Sequence, residues 1–236
     1  MKFFVTIGCF LLLCSIPVCG QEVLEVKYVR ENGEKFDPGK VLTAIPDKMT
    51  GMTDEILGAL EKKHYSMLVF TVEHSLYTNI SDQKSLSSNV RVDADTTEAV
   101  YYSFGAKEIH QNKPRKSGSL RLHSCDFSHS YSLTNVSKTI AGYTCLEAKV
   151  EYCGNDYFVY FTPELPFPTG PRAFVGFPGL VLAVNNAEKT WVVKAIEVKA
   201  ESEFPEDHIG LGRLKELIPV AKELTLEEYC ASKKKQ

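Results

Sequence analysis

Apolar and polar positions alternate along much of this chain with the period of two that marks half-buried strands. Residues 23–30 open the pattern, with Val23, Leu24, Val26 and Tyr28 set among charged neighbours. Further strands are predicted at 65–72 and 100–104, and from 120 to 198 strands dominate, at 120–127, 143–152, 157–162, 180–184 and 191–198. Helical spacing appears in two places. Residues 52–63 place Ile56, Leu57 and Leu60 on one face, with Thr53 as cap and Lys62 and Lys63 in the last turn. Residues 211–224 repeat the spacing with Pro219 as an interruption, and Thr225-Leu226-Glu227-Glu228 matches the capping box of a final short helix. Residues 75–94 are serine-rich and read as an exposed loop, and 107–119 read as a basic loop. Asn185-Asn186 and Gly154-Asn155 mark hairpin turns. The pattern predicts a mainly antiparallel β protein with flanking helices, an α+β fold. Lysines fall on both faces of 190–199, which suits a curved open sheet. That shape is similar to the half-barrel of periplasmic lipoprotein carriers, where a helix sits in the mouth of a bent sheet, a likeness that does not fix function.

One stretch breaks the alternation. Residues 160–184 read YFTPELPFPTGPRAFVGFPGLVLAV, with prolines at 163, 166, 168, 171 and 178. Proline fixes φ and cannot donate to a ladder, and glycine supplies positive φ, so the stretch is a turn-rich crossing between two strands. Phe177-Pro178-Gly179-Leu180 fits a type II turn, with proline second and glycine third. Pro163, Glu164, Pro166, Gly170 and Pro171 form a proline-rich loop ahead of it.

These residues resemble the signature of the GLPGLI family, exported envelope proteins of Bacteroidetes. The hexapeptide stands here as Gly176-Phe177-Pro178-Gly179-Leu180-Val181, preceded by Thr162–Pro166 and Gly170-Pro171. Upstream, Ile140-Ala141-Gly142-Tyr143-Thr144-Cys145-Leu146-Glu147-Ala148 is similar to a second family segment, with Glu147 where lysine is usual. The resemblance covers about 22–200 and is specific from 139 to 184. It implies an envelope address and is poor over the last thirty residues; chain length makes a single domain over 21–236 the default, and the helical spacing gives it a tail at about 208–231. The family's biochemical role is unassigned. Its members look like companions of TonB-dependent outer-membrane receptors, which implies such a receptor as a partner.

Composition narrows the class. Residues 1–20 read as a signal peptide, with Lys2, an apolar run over 3–13 and a break at 17–20. The run is too short to span a bilayer, and the mature chain has no later segment that is long and apolar enough. Export follows, and the resemblance implies the periplasm or cell envelope as its destination. Lipid anchoring at Cys19 fits poorly, because Ile16-Pro17-Val18 lacks the small residue expected before the cysteine. Loss of Lys2 takes the formal charge from −3 to −4, a mildly acidic balance that argues against nucleic acid. The mature chain keeps Cys125, Cys145, Cys153 and Cys230, an even number that suggests two disulfides in an exported protein. A continuous strand over 143–152 holds Cys145 and Cys153 too far apart to bridge. A hairpin joining 120–127 to 139–150 would pair Cys125 with Cys145 and leave Cys153 to tether Cys230.

No nucleophile elbow, phosphate loop, nucleotide fingerprint or zinc-protease motif is present, and nothing calls for a cofactor. His123, Cys125 and His129 would share one face of an extended strand, a weak candidate set for copper or zinc. A disulfide at Cys125 and surface histidines are the plainer account. Aromatics crowd the signature region, with Phe158 and Tyr160 on one strand face and Tyr157 and Phe161 on the other. They suit either a packed core or a cavity for a hydrophobic or peptide ligand. Two sequons, at Asn79 and Asn135, matter only in a eukaryotic secretory pathway. Three readings follow: a periplasmic binding or carrier protein, an envelope partner of a TonB-dependent receptor system, and an enzyme without a local motif.

Overall fold

A computed structural model describes residues 23–33, 37, 63–80, 99–113, 119–200 and 221–233. Twelve strands form one mixed, open sheet: β1 (Leu24–Asn32), β2 (His64–Phe70), β3 (His74–Ile80), β4 (Ala99–Ser103), β5 (Glu108–Lys113), β6 (Ser119–Ser124), β7 (Tyr131–Ile140), β8 (Tyr143–Tyr152), β9 (Asn155–Thr162), β10 (Leu180–Asn186), β11 (Trp191–Lys199) and β12 (Ala221–Leu224). One helix follows, α1 (Leu226–Lys233). The strand order is β12-β6-β5-β4-β3-β2-β1-β11-β10-β9-β8-β7. Each pairing is antiparallel except that of β12 with β6.

This order forces the sheet to bend. β6 and β7 stand ten places apart in it, which would be ~48 Å in a flat sheet at ~4.8 Å per strand. Only residues 125–130 join them, a link that spans at most ~25 Å. The sheet therefore curls until its two ends face each other. Tyr152 on β8 donates its hydroxyl to Gln111 Oε1 on β5 at 3.2 Å, and Phe127 in the link packs on Tyr152. A disulfide between Cys153, at the β8–β9 turn, and Cys230, on α1, ties the same ends together.

The proline-rich loop fills the resulting hollow. Phe167 meets Phe70 of β2, Thr169 donates its hydroxyl to Ser75 of β3 at 2.7 Å, and Phe174 packs on Tyr152 and Tyr157. Phe177 stacks on Phe161. Thr169, Ala173, Phe174, Val175 and Phe177 are all buried. A buried loop must satisfy its own backbone. Its five prolines bring no N–H to satisfy, and short bonds serve much of the remainder: Phe167 to Leu165, Thr169 to Phe167, Gly176 to Pro168, Leu180 to Leu165 and Val181 to Thr169.

Several expectations need correction. The bridge between Cys125 and Cys145 does not form: Cys125 is an exposed thiol and Cys145 a buried one. The strand beside β8 is β7, so Lys138 rather than Cys125 stands opposite Cys145. Burial pushes the Cys145 thiol up to about 11, with the Glu164 charge adding to it. The 177–180 turn is not type II, because positive φ falls on Gly176 (82°) and Arg172 (57°) and not on Gly179. Gly179 is required instead by close approach, since a Cβ there would lie 2.2 Å from the Thr162 carbonyl oxygen. The loops expected from 75 and from 107 begin as β3 and β5, and 221–224 is a strand rather than the end of a helix. The β8–β9 hairpin turns on Cys153-Gly154, one residue early, with φ of 53° and 75°. Asn186 closes β10 instead of forming the turn, and its Oδ1 accepts from the backbone N–H groups of Thr190 and Trp191. The signal peptide, Cys19, the helix expected over 52–63 (apart from Lys63) and the helical spacing over 211–220 lie outside the described residues. The final capping box is present: Thr225 N–H donates to Glu228 Oε2 at 2.8 Å, and Glu228 N–H donates to Thr225 Oγ1 at 3.3 Å.

Two tests follow from this packing. Gly179→Ala is expected to cost about 2 kcal/mol or more by overpacking against fixed backbone. Gly105→Ala, with nothing within 4 Å of its added carbon, should stay within about 0.5 kcal/mol of the parent. Equal urea midpoints for the two variants would refute the close-approach account. Replacing Cys153 and Cys230 by serine is expected to cost about 4 kcal/mol from the entropy of a 77-residue loop. An unchanged denaturation midpoint would show that the sheet ends hold together without the bridge.

Candidate functional site

The histidines singled out in the sequence separate in the structure. His123 lies on β6 and Cys125 on the bend after it, with Sγ 3.9 Å from His123 Nε2. His129 belongs elsewhere. Its Nε2–H donates to the Ala173 carbonyl at 2.7 Å, which fixes the tautomer. The ring stacks on Phe174 and Phe177 and meets Phe127 and Tyr152 edge-on. It is a core residue that pins the loop to the β6–β7 link and is not a ligand beside His123.

His123 has a different companion. In the β5–β6 register His110 stands directly opposite His123, and the rings stack with centroids 4.3 Å apart at 10°. Glu108 is two residues before His110 on β5 and so shares its face. Its Oε1 accepts from His110 Nε2 at 2.8 Å and from His123 Nε2 at 2.9 Å. The His110 hydrogen bond holds the Glu108 carboxyl below its ordinary value, opposed by partial burial and helped by the neighbouring His123. Sequence spacing cannot find this trio, because thirteen residues separate His110 from His123 and only the register brings them together.

The signature residues play structural parts. Phe177 and Leu180 are buried, Pro178 is exposed, and Gly170 is held where a Cβ would sit 2.4 Å from that of Val181. Pro171 is buried, Pro163 and Pro166 are exposed, and the Glu164 carboxylate accepts from Thr144 N–H at 2.9 Å. Glu147 is buried and accepts from the hydroxyls of Tyr160 at 2.5 Å and Thr134 at 2.9 Å.

Clefts open on the surface formed by the described residues. One of about 550 Å³ is lined by polar residues, including Glu151, Asp156, Asn186 and Glu188, with Trp191 and Tyr157 beside them. Another of about 210 Å³ gathers Lys138, Lys189 and Lys194 around Glu31. Neither has the apolar lining of a lipid site. Exposed apolar surface lies instead on β7 and its neighbour: Leu133 is 59% exposed and Val136 48%, with Leu146 of β8 also exposed. β7 is one of the two end strands of the sheet among the described residues, β12 being the other.

Burial lowers the His129 pKa below 6.5, with its bond to Ala173 opposing the shift. The unfolded chain then takes up the proton first. Stability from this residue is full above about pH 6.5 and is lost as pH falls below that value towards the depressed folded pKa. His129→Gln is expected to flatten the fall in melting temperature between about pH 7 and 5. An undiminished fall in the variant would assign it to other groups.

Among the described residues no helix is long and apolar enough to cross a membrane. No family model matches the chain, and no curated protein matches it. Among solved structures, PNGF-II in a C2 and in a P21 space group both align with a TM-score of 0.53, at 14% and 15% identity. Each alignment covers 86% of this chain and 31% of that one, so the chain spans about a third of the protein it resembles, and the likeness is one of fold.

Proposed function

We propose that this chain is an exported, non-catalytic binding protein of the cell envelope that takes an extended peptide segment of a partner protein as an added strand beside β7. The edge of β7 that pairs with no other strand among the described residues carries this reading. An edge strand presents a row of unpaired N–H and C=O groups, and proteins that avoid pairing there keep such strands short or place proline on them. β7 runs for ten residues without a proline. Its second half turns towards β11, where Lys138 joins Lys194 at the smaller cleft. The regular stretch open to a partner is therefore 131–133, ahead of the register shift between Leu133 and Ser137; Leu133 adds an apolar anchor to the main-chain pairing there, and Val136, whose N–H is held by Thr134 Oγ1, adds an apolar contact beside it.

The resemblance to GLPGLI proteins supports the envelope address and makes an outer-membrane receptor of the TonB-dependent kind the natural source of the peptide. The Cys153–Cys230 bridge is compatible with export to an oxidising compartment. The carrier reading for a hydrophobic ligand loses support because the hollow of the sheet, which a lipid carrier would keep empty, is occupied by the proline-rich loop.

Peptides selected from a random decapeptide library on the immobilised protein provide the test. Bound peptide is expected to shift the amide resonances of 131–136, and Leu133→Asp should weaken binding about tenfold or more. Val72→Asp, at an exposed site on the β2–β3 turn, should leave it unchanged. Shifts confined to the 550 Å³ cleft, or an apolar molecule retained in native mass spectrometry, would overturn the edge reading.

A further inference from the structure

We infer that Glu108, His110 and His123 form a binding site for one zinc(II) or copper(II) ion, with the Cys125 thiolate as a fourth ligand. Three features support the assignment. The first is convergence. The Nε2 atoms of two stacked imidazoles approach the same carboxylate oxygen at 2.8 and 2.9 Å, and all three candidate ligand atoms lie within 4.8 Å of one another. Tetrahedral zinc, with bonds of ~2.0–2.1 Å, sets its nitrogen and oxygen ligands ~3.4 Å apart. The two rings, stacked nearly parallel, turn so that both Nε2 lone pairs meet one ion at that spacing.

The second feature is the support of the ligands. His110 is buried, flanked by the ring of Tyr101, and placed by β5 between two paired strands. His123 and Glu108 are partly exposed, so the site opens to solvent on one side. A buried inner ligand with partly exposed outer ones gives an ion a path in. The third feature is Cys125, an exposed thiol with Sγ 3.9 Å from His123 Nε2. Zinc–sulfur bonds of ~2.3 Å place sulfur ~3.6 Å from the nitrogen ligands, close to the spacing already present. Two imidazoles, a carboxylate and a thiolate favour zinc or copper over magnesium or calcium, which take oxygen ligands.

Binding changes the protons as well as the partners. In the hydrogen-bonded trio each Nε2–H points at Glu108 Oε1. A metal needs the Nε2 lone pair, so each ring binds as its Nδ1–H tautomer and Glu108 becomes a ligand instead of an acceptor. The Cys125 thiol gives its proton to solvent as its sulfur binds.

Cobalt(II) and zinc(II) are the probes, added to the protein with its disulfide intact and Cys125 free. One equivalent of zinc is expected to bind by calorimetry. Cobalt should show tetrahedral visible absorption together with a thiolate charge-transfer band in the near ultraviolet. Cys125→Ser should remove that band and keep the visible absorption. His123→Ala, at a partly exposed position where folding is least at risk, should weaken zinc binding by roughly 10–100-fold or more. Glu108→Gln should weaken it likewise, with unchanged circular dichroism in both variants. No zinc binding at 100 μM probe, or binding that survives in His123→Ala and Glu108→Gln alike, would overturn the site.

Discussion

The short link between β6 and β7 is the constraint on which the rest of this structure depends. Strands ten places apart in one sheet are joined by residues 125–130, so the sheet cannot lie flat. Its curl creates an apolar hollow that has to be filled. A helix is a common solution, because it satisfies its own backbone bonds. Here the filler is an irregular loop, and its composition follows from that position. Prolines reduce the number of N–H groups that would otherwise be buried unpaired. Phe167, Phe174 and Phe177 supply the volume. Gly170 and Gly179 permit close approach within the loop, to the Val181 side chain and to the Thr162 carbonyl oxygen. His129, in the link itself, bonds the loop at Ala173, so bend and filler hold each other in place.

The second fastening lies at the same end of the molecule. α1 follows β12 directly, and its capping box fixes where it starts. Tyr229 packs with Leu122 and Leu224 in a small satellite core. Cys230 then reaches the β8–β9 turn. The far end of the strand order is thus tied covalently to the hairpin that flanks β7. The sheet stays open, because β7 and β12 do not pair, yet its curvature is fixed by one peptide link and one disulfide.

Much of the strand content was legible, because period-two alternation survives wherever one face is buried. The 143–152 strand is recovered in full, and β9 divides its aromatics as alternation requires. Tyr157 and Phe161 pack on the loop, while Tyr160 faces Glu147. The capping box at Thr225 was legible because it is a local interaction. Pairing order was not, since it depends on contacts between residues far apart in the chain. That is why β6 was expected beside β8, and Cys125 opposite Cys145. β3 and β5 were read as loops because their serines, histidines and amides carry a weak hydrophobic signal. Residues such as Ser75, His110, Gln111 and Asn112 are nevertheless buried. The same blindness hid the Glu108–His110–His123 trio, two of whose members lie in the stretch that reads as a basic loop.

The two chemically expressive regions fall on either side of the bend. Glu108, His110 and His123 sit on β5 and β6, and the open stretch of β7 begins one residue after the 125–130 link ends. Cys125 and His129 both lie in that link, one turned towards the carboxylate–histidine cluster and the other locked into the core. An ion that drew Cys125 towards His123 would pull on the chain leading into β7, while the His129–Ala173 bond would resist the pull from the loop side. The link that closes the sheet is therefore also the shortest covalent path between the cluster and the exposed edge. Coupling along the chain passes through six residues, among them Phe127 packed against Tyr152, and Tyr152 offers a second route by its hydrogen bond to Gln111 on β5.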